Sequence, residues 1–378
     1  METKLTNPFI ISGYVAPEYF CDREAETENL LSALRNGGNV TLTSPRRMGK
    51  TGLIRHSFRR LKEEDPSIVT VYADLLSTES LADFARVLSV AIMEQLAITP
   101  ERVLKKAASL LSRIRPTLTV DPVTGGTKFS VDIAPGEESE TLDSLFSYLK
   151  NSGKRCIVAL DEFQQVALYP EKNVEALLRS HIQFMPNVNF IFSGSRSHML
   201  AEMFLSPKRP FYQSSVHQQV GPIEMDPYYS FSAAFFASDG RILPQEIFQS
   251  IYRRYEGHTW YIQKILNKLY AQTIDKEITA TSVLKAITEI LSENEYYYQM
   301  VLRAYSKGQV KLLKAIAKEG HVKEILSGTF ISRYKLTATS SVKGALKRLI
   351  EDEQVYMDDS GYQVYDRFLA EWLRTQMT

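Results

Sequence analysis

The chain has little cysteine, little tryptophan and no excess of either charge. Cys21 and Cys156 are its only cysteines in 378 residues, so neither a disulfide framework nor a cysteine zinc site is expected. No apolar run approaches the ~18–20 residues of a membrane span. The first residues, Met1–Pro8, have neither the basic stretch nor the apolar core of a secretory signal. Forty-five basic side chains stand against 44 acidic ones, a net charge of +1. That balance supplies no global field for nucleic acid or a membrane surface. The six histidines show no metal-ligand spacing. There is no low-complexity segment and no internal repeat. A cytoplasmic, globular chain of two or three domains is expected.

What is present is an alternation of helical and strand patterns. Residues 24–36 predict a helix, with Leu30, Leu31 and Leu34 on one face. Val40–Thr43 reads as a short strand and Gly49–Leu61 as a helix burying Leu53, Ile54, Phe58 and Leu61. Further strands are expected at Ile68–Leu75, Cys156–Leu160 and Val188–Ser193, helices near 80–97, 101–113 and 140–151, and a hairpin over Thr117–Asp132. Strands apolar on both faces and separated by helices predict an α/β fold, a parallel sheet sandwiched by helices.

Beyond residue 222 the pattern turns helical, over 228–237, 243–255, 260–272 and 280–305. From about 306, helices at 310–318, 331–336 and 340–351 precede two short strands at 354–357 and 362–365, the order of a winged helix. The expected domains are 1–221, 222–305 and 306–378.

Two motifs carry chemistry. Ser44-Pro-Arg-Arg-Met-Gly-Lys-Thr51 fits G-x-x-x-x-G-K-[ST] except that Ser44 replaces the first glycine. In such a loop the backbone N–H groups and the N-terminus of the following helix cradle phosphate. Ser44, Pro45, Arg46, Arg47, Met48, Gly49, Lys50, Thr51 and Gly52 are therefore expected around a nucleotide's phosphates. Lys50 would reach the β- and γ-phosphates, and Thr51 would ligate Mg²⁺. Gly49 is needed where the backbone approaches phosphate closely; at Ser44 a conformation easier for glycine is expected to be demanded of serine.

The second motif is Cys156–Leu160 ending in Asp161-Glu162. Placed on a strand beside the phosphate-loop strand, Asp161 would hold Mg²⁺ through water and Glu162 would polarise the attacking water. The strand ending Phe192-Ser-Gly-Ser195-Arg196 offers Ser193 and Ser195 to the γ-phosphate and Arg196 to its charge; an ordinary strand-to-helix turn is the alternative. Arg209 sits in a loop, either as an arginine finger or as a surface residue.

Together with the segment Tyr19–Glu24 (YFCDRE), Leu160–Phe163 (LDEF), Gly194-Ser195, Arg209–Tyr212 (RPFY) and Glu256–His258 (EGH), these motifs resemble the prokaryotic AAA-like ATPases of the STAND group, signal-transduction ATPases with numerous domains. The resemblance spans nearly the whole chain. It implies an ATP-driven switch, in which nucleotide is closed between a P-loop domain, a helical lid and a winged helix. It also implies ATP/ADP and Mg²⁺ as ligands, and a protein partner or self-association as output. Arg23, within Phe20–Glu24, would lie near adenine, and Gly257 and His258 in the lid. Asp22 stands where the family motif has Gly, and Thr259 where it has Pro.

The terminal winged helix exposes Lys343, Lys347 and Arg348, but its wing carries Asp358-Asp359. Three cations on one face are few, and the acidic wing tip would repel phosphate, which favours packing or regulation over DNA binding. The run Tyr296-Tyr-Tyr298 reads as a helix-packing surface.

Overall fold

The computed structural model describes residues 5–96, 114–120, 127–272 and 276–376. Within those residues the chain divides into two compact units, Ser12–Tyr228 and Met1–Ile11 with Tyr229–Thr378.

The first unit contains α1 (Glu24–Arg35), β1 (Val40–Thr43), α2 (Lys50–Glu64), β2 (Val69–Asp74), α3 (Leu81–Leu96), β3 (Ile114–Val120), β4 (Thr127–Ile133), α4 (Glu138–Asn151), β5 (Cys156–Asp161), α5 (Val174–Ile182), β6 (Val188–Gly194), α6 (Ser197–Leu205) and β7 (Val216–Gln219). Five strands form one parallel sheet in the order β2-β5-β6-β1-β7. The hairpin β3–β4 pairs antiparallel by itself. The helix expected at 101–113 lies outside the described residues.

The period of two along each strand splits the core between the faces of the sheet. Ile157 and Ala159 join Leu30, Leu34, Leu53 and Ile54 from α1 and α2 on one side. Val158 and Leu160 join Phe84, Leu88, Leu145 and Leu178 from α3, α4 and α5 on the other. Burying each large side chain among these contributes ~1.5–3 kcal/mol, and β5, apolar on both faces up to Asp161, calls for helices on both sides of the sheet. β7 escaped the sequence reading because Val216–Gln219 is a largely exposed edge strand with polar residues at three of four positions.

One expectation is corrected. The strand ending in Asp161 does not lie beside the phosphate-loop strand: β6 stands between them, pairing with β1 on one side and β5 on the other.

The second unit contains most of α7 (Met225–Ser238), then α8 (Gln245–Arg254), α9 (Thr259–Gln272), α10 (Ala280–Glu293) and α11 (Glu295–Arg303). The winged helix follows, with α12 (Lys307–Glu319), α13 (Gly328–Arg333), α14 (Thr339–Glu351), β8 (Val355–Asp358), β9 (Gly361–Val364) and α15 (Arg367–Thr375). The single helix expected at 280–305 is two helices meeting at Asn294, which caps the first with its own N–H on Leu291 and Ser292 carbonyls. The N-terminal segment belongs here: buried Phe9 packs on Phe235, Phe236 and Tyr270, and Asn267 Nδ2 donates to the Phe9 carbonyl at 2.8 Å. Glu371 of α15 accepts from Arg254 and, at 2.5 Å, from Tyr255, joining α15 to the α8 region. No helix among the described residues is long and apolar enough to cross a membrane.

Candidate nucleotide site

The loop between β1 and α2 is bent by two residues in the left-handed region, Arg47 (φ 68°) and Gly49 (φ 92°). At Gly49 only glycine adopts that angle without cost. Ser44 has no positive φ, so the strain expected from replacing glycine there is absent; its hydroxyl donates to the Pro45 carbonyl at 2.8 Å. Lys50, at the start of α2, is buried, and its Nζ donates to the carbonyls of Ser44 at 2.9 Å and Pro45 at 3.3 Å. Burial holds its ammonium below the ordinary lysine value, against the opposing pull of Glu162 and Asp161. A buried cation held only by backbone carbonyls of its own loop is poised to exchange them for a stronger anionic partner.

Arg23 is 2% exposed. Its Nη2 donates to the Met48 carbonyl at 2.7 Å and the Gly221 carbonyl at 3.0 Å, and its Nη1 to Glu26 at 2.8 Å. It thus ties the phosphate loop to the segment after β7. Asp22 and Arg23 are both left-handed (φ 48° and 62°), a region that aspartate tolerates better than most residues.

The acid pair sits at the end of β5. Asp161 gathers four donors. Thr51 Oγ1 reaches Oδ2 at 3.1 Å and Tyr72 OH reaches the same oxygen at 2.5 Å. On Oδ1 are the Ser193 hydroxyl and the Glu162 N–H, the latter at 3.1 Å. The loop threonine and the strand aspartate are thereby joined directly. Glu162, left-handed at φ 55°, turns its side chain so that Oε2 accepts from Ser195 Oγ at 2.8 Å, Ser195 N at 3.3 Å and Gln164 Nε2 at 2.5 Å. Arg46 of the loop donates to Ser195 Oγ at 3.3 Å. The interposed β6 and the bend after it make these contacts: Ser193 at the end of the strand serves Asp161, and Ser195 in the bend serves Glu162 and the loop. A Cβ at Gly194 would stand 2.0 Å from Gln164 Oε1, so glycine leaves room for the glutamine that steadies Glu162.

A family model described as "ATPase domain predominantly from Archaea" matches residues 20–265, a span holding the loop, the acid pair and β6. The chain belongs to this ATPase family. A second model, described as "Probable winged helix domain", matches residues 296–375. Among solved structures, the chain is similar to the Walker-type ATPase PABY2304 of Pyrococcus abyssi, with 18% identity over 97% of this chain and 99% of that one, and a TM-score of 0.63. It is also similar to the Aeropyrum pernix ORC1 protein, solved in complex with DNA (16% identity, 98% and 97% covered, TM-score 0.54), and to the ADP form of the Aeropyrum pernix ORC2 protein (16%, 98% and 98%, TM-score 0.55). At these identities the likeness is one of fold: a P-loop parallel sheet followed by helices and a winged helix. The comparison with curated proteins gave no match.

Three further residues singled out in the sequence have defined surroundings. Arg209 is ion-paired to Glu175 at 2.5 Å and stands 3.9 Å from Glu202. His258 lies in the second unit, where Arg367 donates to its Nε2 at 3.5 Å. Gly52 faces the Phe20 ring, from which a Cβ would stand 3.3 Å, and Phe20 stacks on His56 with centroids 4.5 Å apart.

Sequence reading missed Tyr72. It lies 89 residues from Asp161, and only the β2–β5 register, pairing Tyr72 with Ala159, brings it near. The Arg55 guanidinium covers its ring at 4.0 Å from the centroid. Tyr72→Phe is expected to cost ~1.5–3 kcal/mol in a urea titration, the worth of a hydrogen bond to a charged group. A midpoint unchanged from the wild type would show that the bond contributes nothing.

Proposed function

We propose that this ATPase binds ATP with Mg²⁺ on Ser44–Gly52, hydrolyses it, and uses the cycle as a molecular switch of the STAND type. The observation that carries the reading is the Asp161 carboxylate, bridged to the loop through Thr51 and to β6 through Ser193, with Glu162 held beside it. In this reading Lys50 neutralises the β- and γ-phosphates, while loop N–H groups and the start of α2 bind their oxygens. Thr51 and Asp161 are the metal-holding residues. Among the described residues no cluster of three or more His, Cys, Asp or Glu forms a metal site of its own, as suits an ion shared mainly with phosphates and water. Mg²⁺ would supply charge neutralisation on the phosphate oxygens. Glu162 takes the proton of the attacking water, and Ser195 orients Glu162.

The proposed division of labour follows the domains 1–221, 222–305 and 306–378: P-loop domain, helical lid carrying His258, and winged helix, with Arg23 on the adenine side. A switch needs one arrangement to bind ATP better than the other. The proposed output is a protein partner or self-association in the cytoplasm. DNA is not the partner favoured: on α14, Lys347 lies 3.7 Å from Glu351 and Arg348 2.8 Å from Asp352.

The test is ATP binding and single-turnover hydrolysis with Mg²⁺. Lys50→Ala is expected to weaken ATP binding by ~10–100-fold, the loss of a charge-assisted hydrogen bond to phosphate. Equal binding by wild type and variant would remove Lys50 from the site, and no binding by either would overturn the proposal.

A further inference from the structure

The junction of α11 and α12 forms a cleft of about 540 Å³. Its floor is half-buried, with Leu302 and Val310 beside the ring of Tyr305, whose hydroxyl donates to the Asp352 carboxylate at 3.0 Å. Its rim is cationic: Arg303, Lys307, Lys311 and Lys314. Among the described residues none of these four is ion-paired to a carboxylate, and the Lys311 ammonium instead donates to the Lys335 carbonyl at 2.5 Å. In a chain whose charges nearly cancel, four unmatched cations around one cleft are a local departure. The same surface continues along α11, where Tyr296, Tyr297 and Met300 are 74%, 59% and 45% exposed. The tyrosine run is therefore only partly a packing surface, because Tyr298 alone of the three is buried, against Trp372.

We propose that this cleft is a docking site for a protein segment that is both acidic and apolar, an amphipathic helix with carboxylates flanking a row of large apolar side chains. Charge complementarity selects the carboxylates. The floor selects the apolar row, because a phosphodiester backbone gains nothing from Leu302 and Val310. Exposed Tyr, Met and Arg are also the residue types enriched at the centres of protein interfaces. An amphipathic helix laid in a groove anchors through residues at i, i+3/i+4 and i+7, with the lysine stems covering its flanks. The site would give the second unit a partner whether or not ATP is hydrolysed, and its test uses no nucleotide, so its failure leaves the ATPase reading untouched.

The experiment is fluorescence anisotropy on the full chain with three labelled probes. The first is a ~15-residue helix-forming peptide with leucines on one face and glutamates beside them. The second is the same peptide with every leucine replaced by serine. The third is a ~20-base-pair DNA duplex. The leucine peptide is expected to bind at least ~10-fold more tightly than the serine peptide, and more tightly than the duplex. Lys307→Glu with Lys311→Glu, both exposed, is expected to weaken it by at least ~10-fold. Tyr297→Ser is expected to weaken it without changing charge. No binding of the leucine peptide, equal binding of both peptides, or indifference to the charge reversal would overturn the proposal. Tighter binding of the duplex, lost on the same reversal, would instead make the patch a nucleic-acid surface.

Discussion

Glu162→Gln is expected to bind ATP within about 3-fold of the wild type while its single-turnover hydrolysis falls by ~100-fold or more, the scale of a lost general base. The geometry separates the two effects. All three donors to this carboxylate, Ser195 N, Ser195 Oγ and Gln164 Nε2, meet at Oε2. The other oxygen, Oε1, makes no hydrogen bond among the described residues and is the atom left to accept a proton from water. A glutamine can turn its carbonyl oxygen to the three donors and keep the local fold. Its remaining atom is then an NH₂ group, which accepts nothing. Rapid-quench measurement of one turnover, beside a binding titration, reads both quantities. Unchanged turnover would show that Glu162 is not the base, and lost binding would show that it holds the loop.

The second large effect is expected at Arg23. Arg23→Met removes the donor to the Met48 and Gly221 carbonyls from a residue that is 2% exposed. Two carbonyls and the Glu26 carboxylate then lose a charged partner, at ~2–4 kcal/mol in all. Methionine fills much of the stem's volume, so the cost is mainly polar. Because Met48 precedes Gly49, freeing its carbonyl also loosens the phosphate loop, and ATP affinity is expected to fall by ~10-fold as preorganisation is lost. Denaturant unfolding and calorimetric ATP titration measure the two parts. Full stability in the variant would refute the tie between the loop and the segment after β7. Lost affinity with full stability would mean that Arg23 acts on the nucleotide instead.

The parts of this structure legible in the sequence are those where local pattern and burial agree. Val40–Thr43, Cys156–Asp161 and Val188–Gly194 are short apolar strands buried at every position, and each ends in the polar residues that line the site. The phosphate loop was legible for the same reason: its chemistry depends on one contiguous stretch. Strand order was not, because no single strand encodes its neighbour, and the insertion of β6 between β1 and β5 is a property of the whole sheet. Tyr72 was invisible for that reason as well. The last helix, Arg367–Thr375, had a readable signal: Asp366 accepts from the N–H groups of Phe368 and Leu369, an N-cap ahead of an apolar stripe through Phe368, Leu369, Trp372 and Leu373. The polar edge strand Val216–Gln219 had none, because exposure leaves no hydrophobic alternation to read.

Because β6 lies between the loop strand and the acid strand, it works as a ruler laid across the site. Ser193 lies in β6 and Ser195 in the bend just after its last residue, Gly194, and their hydroxyls reach Asp161 and Glu162 respectively. Exchanging Phe190 or Phe192 for another large apolar residue would alter packing but leave the ruler's marks in place. Adding or deleting one residue within β6 would turn Ser193 to the other face of the sheet and displace the bend that carries Ser195. Sequence drift in this strand is therefore tolerable where a change of length is not.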